Sequence, residues 1–70
     1  MYSKHTEVLQ NNIGEMRKKA GLTQAELAFS VGVTRQTIIA IEKGDYVPSV
    51  LLAMKLAEKF KTTIEKVFYV

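Results

Sequence analysis

The chain has 70 residues, with ten Lys or Arg against seven Asp or Glu, a formal net charge of +3, and no cysteine. That length allows one core, which by itself rarely supplies more than about 3 to 5 kcal/mol, so self-association is physically favoured. The lack of cysteine excludes a disulfide framework and cysteine-ligated zinc, no apolar run approaches the ~18 residues of a membrane span, and the basic balance favours a polyanionic partner.

Residues Met1 to Gln10, MYSKHTEVLQ, form a polar lead-in without the apolar core of a signal peptide, so a cytoplasmic setting is expected. A first helix is predicted from near Asn11 or Asn12, with Asn12 and Glu15 spaced for a capping box. Ile13, Met16 and Ala20 then fall at i, i+3 and i+7, a core-facing stripe ending at Gly21. Gly14 weakens that helix. Thr23 and Glu26 spell a T-x-x-E capping box for a second helix, whose apolar stripe is Leu27, Ala28 and Val31. Gly32 interrupts the stripe where a sharp turn needs positive φ, and Thr34 can cap a third helix carrying Ile38 and Ile41 after Val33. Ala28 is small enough to let the two helices approach. The window Gln24 to Lys43, QAELAFSVGVTRQTIIAIEK, therefore reads as a helix-turn-helix, which points at DNA.

Gly44 ends the third helix, and Asp45-Tyr46-Val47-Pro48 is a loop because proline disfavours helix at the residue before it. Ser49 caps a fourth helix in which Leu52, Ala53, Leu56, Ala57 and Phe60 make an apolar face, expected to close over helices one and three. A short fifth helix follows Thr62 or Thr63 and buries Ile64 with Val67 or Phe68. The last residues, Phe68-Tyr69-Val70, have β propensity. Two readings of the lead-in stand together: a frayed arm, or a strand within Met1 to Leu9 that pairs with this end in a small antiparallel sheet.

These residues carry a family resemblance. The Gln24 to Lys43 window resembles the Cro/CI-type repressor fold, also called the lambda-repressor-like or XRE group of bacterial, archaeal and phage regulators. NNIGEMRKKAGLTQAELA is similar to that family's first two helices, and IEKGDYVPSVLLAMKLAEKF to its third-helix exit and fourth helix, so the resemblance spans roughly Asn11 to Phe68. It implies an all-α, five-helix DNA-binding domain over residues 11–70, preceded by an arm or short strand at 1–10.

At about 100° per residue, Arg35, Gln36, Ile39, Ala40 and Lys43 share one arc of the third helix, while Thr37, Ile38 and Ile41 lie on roughly the opposite one. The core claims the second arc. Arg35 suits guanine O6 and N7, Gln36 suits adenine N6 and N7, and Ile39 suits a thymine methyl, with Ala40 beside them. The resemblance likewise assigns base reading to the first residues of this helix. Gln24 opens the second helix, whose N-terminal amides favour a phosphate, and the resemblance implies that its side chain touches backbone or braces a reading residue. Thr34 is either a cap or a phosphate ligand, Lys43 either a charge favourable to the helix end or a phosphate contact, and Thr37 is also within reach of a phosphate. The family commonly pairs an arginine and a glutamate at the positions of Arg17 and Glu42, which implies a structural ion pair here. Lys18 and Lys19 read as solvated charge.

Some residues depart from the family pattern. Asp45 stands where a basic residue is frequent and would repel a phosphate. Phe29 and Leu51 occupy positions that are usually polar. Because homodimers in this family often pack through the fourth and fifth helices, Leu51, Phe68, Tyr69 and Val70 are assigned to self-association, and Phe29 has no assigned role. Catalysis, metal and cofactors are not expected, since the only histidine, His5, lies in the lead-in and there is no glycine-rich phosphate loop. The expected function is a homodimeric repressor reading a pseudo-palindromic site on double-stranded DNA, with no membrane or small-molecule partner. The alternative is an antitoxin or adaptor that acts by binding a protein.

Overall fold

The computed structural model describes residues 8–70, so Lys4 and His5 lie outside the described residues. A two-residue strand, β1 (Gln10–Asn11), leads into five helices: α1 (Ile13–Lys19), α2 (Gln24–Val31), α3 (Arg35–Lys43), α4 (Val50–Lys59) and α5 (Ile64–Val67). A second two-residue strand, β2 (Phe68–Tyr69), follows and pairs antiparallel with β1, Gln10 opposite Tyr69 and Asn11 opposite Phe68. The chain ends thus form the small sheet, with a partner strand that starts at Gln10 rather than within residues 1–9.

Local chemistry sets most helix ends. The Thr23 hydroxyl accepts from Glu26 N at 3.0 Å while Glu26 Oε1 accepts from Thr23 N at 2.8 Å, the reciprocal box that satisfies two orphan donors of α2. Thr34 and Ser49 cap α3 and α4 through the amides of Thr37 and Leu52. Gly32 and Gly44 close α2 and α3 with φ of 78° and 82°, the left-handed conformation that a Cβ disfavours. Lys61 does the same work after α4 at φ 55°, without glycine's freedom.

The start of α1 departs from expectation. Asn12 makes no side-chain cap bond, because its Nδ2 donates to Lys66 O at 3.0 Å across the chain ends. The acceptor for Ile13 N is instead Asn11 Oδ1, at 3.0 Å.

The core is built by apolar residues from every helix: Ile13, Leu27, Ile38, Ile41, Leu56 and Val67 are its largest fully buried side chains, and no described polar side chain is buried. Ala20 is exposed, so the stripe of α1 stops at Met16. The apolar face of α4 packs chiefly on α2 and α5, and Phe60 just after it packs against the same core as Met16 of α1. The buried residues of α4 share one core with Ile13 of α1 and with Ile38 and Ile41 of α3. A Cβ at Gly14 would meet Glu42 Oε1 at 3.5 Å, an ordinary van der Waals contact, so the space between α1 and α3 does not demand glycine there. No described helix is long and apolar enough to cross a membrane.

Candidate nucleic-acid interface

Helix α3 separates two chemistries. Ile38 and Ile41 are sealed in the core, while Arg35, Gln36 and Lys43 are exposed and Ile39 and Ala40 are half-buried between them. The N-terminal turn of α3 therefore offers a guanidinium and a carboxamide to solvent, with the apolar side chains of Ile39 and Ala40 beyond. Thr34 Oγ1 accepts from Thr37 N at 3.3 Å and lies 3.2 Å from Thr37 Oγ1. The Thr34 hydroxyl is thus committed to capping yet remains exposed, and Thr37 is half-buried beside it.

Three helices meet at Glu42. Arg17 Nε donates to its Oε2 at 2.7 Å and Arg17 Nη2 to Oε1 at 3.3 Å, while Gln24 Nε2 donates to the same Oε1 at 3.1 Å. Arg17 Nη1 also donates to Leu22 O at 3.0 Å. The ion pair expected from the resemblance is formed, with side chains 12% and 14% exposed. Burial pushes the Glu42 carboxyl up, but the hydrogen bonds from Arg17 and Gln24 and the charges of Arg17 and Lys18 outweigh it and hold the group below the usual carboxylate range. The hydrogen bond to Glu42 raises Arg17 against its own desolvation. Gln24 thus braces Glu42, in the anchor that holds α3 to α1.

An open depression lies where α2 begins, lined by Arg17, Lys18, Thr23, Gln24, Ala25 and Arg35 among others. Glu26 N is taken by the capping box, but the amides of Gln24 and Ala25 have no acceptor within their helix, and Lys18, Arg35 and the Glu42-paired Arg17 line the same depression. The arrangement suits an anion next to the exposed start of α3. Lys18, assigned from sequence to plain solvated charge, shares this wall with Arg35. Asp45 is exposed beyond Gly44, and its amide closes α3 by donating to Ala40 O at 2.9 Å.

The residues assigned to self-association divide. Leu51 and Val70 are 63% and 81% exposed and Tyr69 is partly so, whereas Phe68 is 8% exposed. Phe68 belongs to the chain's own core, because pairing of β2 with β1 turns its ring inward as Tyr69 turns out. Sequence reasoning missed Val50 and Met54, which are also exposed and flank Leu51 at helical spacing. Their signal lay in the i, i+1, i+4 pattern of positions 50, 51 and 54, opposite the face the core requires.

A compact bundle with a capped helix-turn-helix, an outward polar helix start and adjoining cations defines a DNA-binding domain. Comparison with known proteins agrees: a helix-turn-helix family model matches residues 13–67. An uncharacterized HTH-type transcriptional regulator of Bacillus subtilis, YgzD, is 51% identical over 61 residues, covering 87% of this chain and 92% of that protein. Another from Methanothermobacter thermautotrophicus is 58% identical over 57 residues, 80% and 83% of the two chains. Among solved structures, the restriction-modification controller protein C.AhdI of Aeromonas hydrophila superposes with a TM-score of 0.72 at 29% identity, covering 79% of this chain and 83% of its own. The chain belongs to the Cro/CI-type helix-turn-helix family of DNA-binding transcriptional regulators.

Proposed function

We propose that this regulator is a homodimeric, sequence-specific repressor that reads a pseudo-palindromic operator through the major groove. The observation that supports this reading best is the split of α3, with Arg35 and Gln36 exposed at its start and Ile38 and Ile41 fully buried behind them. Arg35, Gln36, Ile39 and Ala40 contact base edges. Gln24, Thr34, Thr37 and Lys43 position the duplex through phosphates, and Arg17 with Glu42 holds α1 and α3 in register. Residues 11–70 act as one domain. Leu51, with Val50 and Met54 beside it and Tyr69 and Val70 at the chain end, supplies the surface for a second copy. Two recognition helices then enter successive major grooves about 34 to 36 Å apart.

Selection of bound duplexes from random DNA by the purified protein tests the reading, because it reports specificity, half-site symmetry and spacing together. On the selected duplex, Arg35→Ala lowers affinity and relaxes preference at one base position, by about 1 to 3 kcal/mol of discrimination. Lys43→Ala weakens all sequences alike and reduces the salt slope by about one. Specific binding that survives both substitutions in a folded protein rejects the assignment. Sedimentation tests the dimer: the wild type associates at tens of micromolar, roughly the range where weak oligomers form, and Leu51→Glu shifts it to monomer.

One observation favours a second reading as an adaptor or antitoxin. Phe29 is 89% exposed on α2, more than any other large apolar residue described. Loss of regulation by Phe29→Ser with operator affinity unchanged would favour that role.

A further inference from the structure

Asn11 makes two bonds that join three parts of the molecule. Its Nδ2 donates to Ile41 O, in the last turn of α3, at 2.8 Å, and its Oδ1 accepts from Ile13 N, at the start of α1, at 3.0 Å. Its backbone belongs to β1, which β2 holds in register. The amide is half-buried and lies 30 residues from its α3 partner in sequence. Ile41 O is already an acceptor for Gly44 N at 2.9 Å, so the C-terminus of α3 closes without Asn11. The additional bond orients the helix relative to the chain-end sheet. Glu42, the next residue, is held by Arg17 and Gln24, so α3 is anchored on adjacent residues from two directions.

We infer that Asn11 is a positioning residue for base reading: its carboxamide fixes the tilt of α3 and thereby the approach of Arg35 and Gln36 to base edges. The inference rests on the reading face proposed above. Phosphate contacts tolerate small rotations because lysine, arginine and amide donors reach a diffuse, repeating backbone. Bidentate contacts to a base edge demand placement within about 0.5 Å. Loosening one anchor of α3 therefore removes specificity before it removes affinity for DNA in general.

Two variants separate this role from folding. Asn11→Asp keeps an oxygen for Ile13 N but has no donor for Ile41 O. Asn11→Ala removes both bonds. The measurement is the ratio of affinity for the duplex selected by the wild type to affinity for random duplex of equal length, with helicity and thermal midpoint recorded alongside. A ratio cancels the general effect of the extra negative charge in Asn11→Asp. Both variants are expected to lower the ratio by about three- to tenfold, the scale of one lost hydrogen bond, with helicity retained by Asn11→Asp and the salt slope for random duplex unchanged. A ratio within about twofold of wild type in folded Asn11→Asp overturns the inference. Arg35→Ala, run in parallel, distinguishes the failures. If it collapses the ratio and Asn11→Asp does not, only the positioning role falls. If Arg35→Ala also leaves the ratio intact, the reading face falls and the positioning role with it.

Discussion

Each end of the α2–α3 unit is closed by groups a few positions away: Thr23 by Glu26, Thr34 by Thr37, Gly32 N by Phe29 O. The chain-end clasp is closed across almost the whole sequence, with Asn12 reaching Lys66 over 54 positions and Tyr69 reaching Asn12 over 57. Helix α5 has no side-chain cap at Thr63, and β1 has only two residues. The first region carries its own instructions, whereas the second exists only once the core has brought its parts together. Their stabilities should respond to different kinds of substitution.

The largest test asks whether the locally capped unit is as independent as its hydrogen bonds suggest. Ile38→Ala removes a fully buried side chain of the common core, and large-to-small changes of this type cost about 2 to 5 kcal/mol. That is comparable with the whole margin of a domain this small. Chemical denaturation followed by far-ultraviolet circular dichroism should find the variant mostly unfolded at 25 °C. A cooperative transition within about 1 kcal/mol of wild type would mean that capping, not burial, holds the unit.

A smaller effect is expected at the junction between the two regions. Arg17→Ala leaves Glu42 with its desolvation and one neutral donor, and should cost about 1 to 3 kcal/mol at neutral pH, less than a fully buried pair because both side chains retain some solvent. The pH dependence has a definite sign. Glu42 titrates lower in the folded chain than in the unfolded one, so its contribution is complete above the unfolded value of about 4.3 and disappears as pH falls through the lower folded value. The gap between wild type and Arg17→Ala should accordingly be widest near neutrality and close below pH of about 4. Thermal midpoints across that range give the comparison, and a gap independent of pH would reject the electrostatic account.

The smallest effect sharpens the contrast itself. Thr23→Ala removes a capping box and should cost about 1 kcal/mol, while Thr63→Ala removes no cap bond and should stay within about 0.5 kcal/mol of wild type. Equal losses at the two threonines would erase the distinction drawn between the regions.

The same distinction explains what was legible in the amino-acid sequence. Capping boxes, the Gly32 and Gly44 turns and the Ile38–Ile41 stripe are written within windows of a few residues, and they place α2, α3 and the exposure of Arg35 and Gln36 correctly. Asn11 and Asn12 are adjacent and chemically identical, so spacing alone could not tell that the first would serve Ile13 N and the second Lys66 O. Gln and Asn have little β propensity, which hid β1, and Phe68 looked like one more residue of an apolar end until its strand partner fixed which way it turned. Gln24 sits 18 positions from the carboxylate it braces, a contact that only the crossing of α2 and α3 creates.

The antiparallel ribbon has a consequence for engineering. With Gln10 opposite Tyr69, the peptide preceding one strand and the peptide following the other emerge side by side from the same end of the pair. A brief flexible bridge from Val70 to Val8, replacing residues 1–7, would close the described residues into a ring without bending the helices and lower the entropy of the unfolded chain.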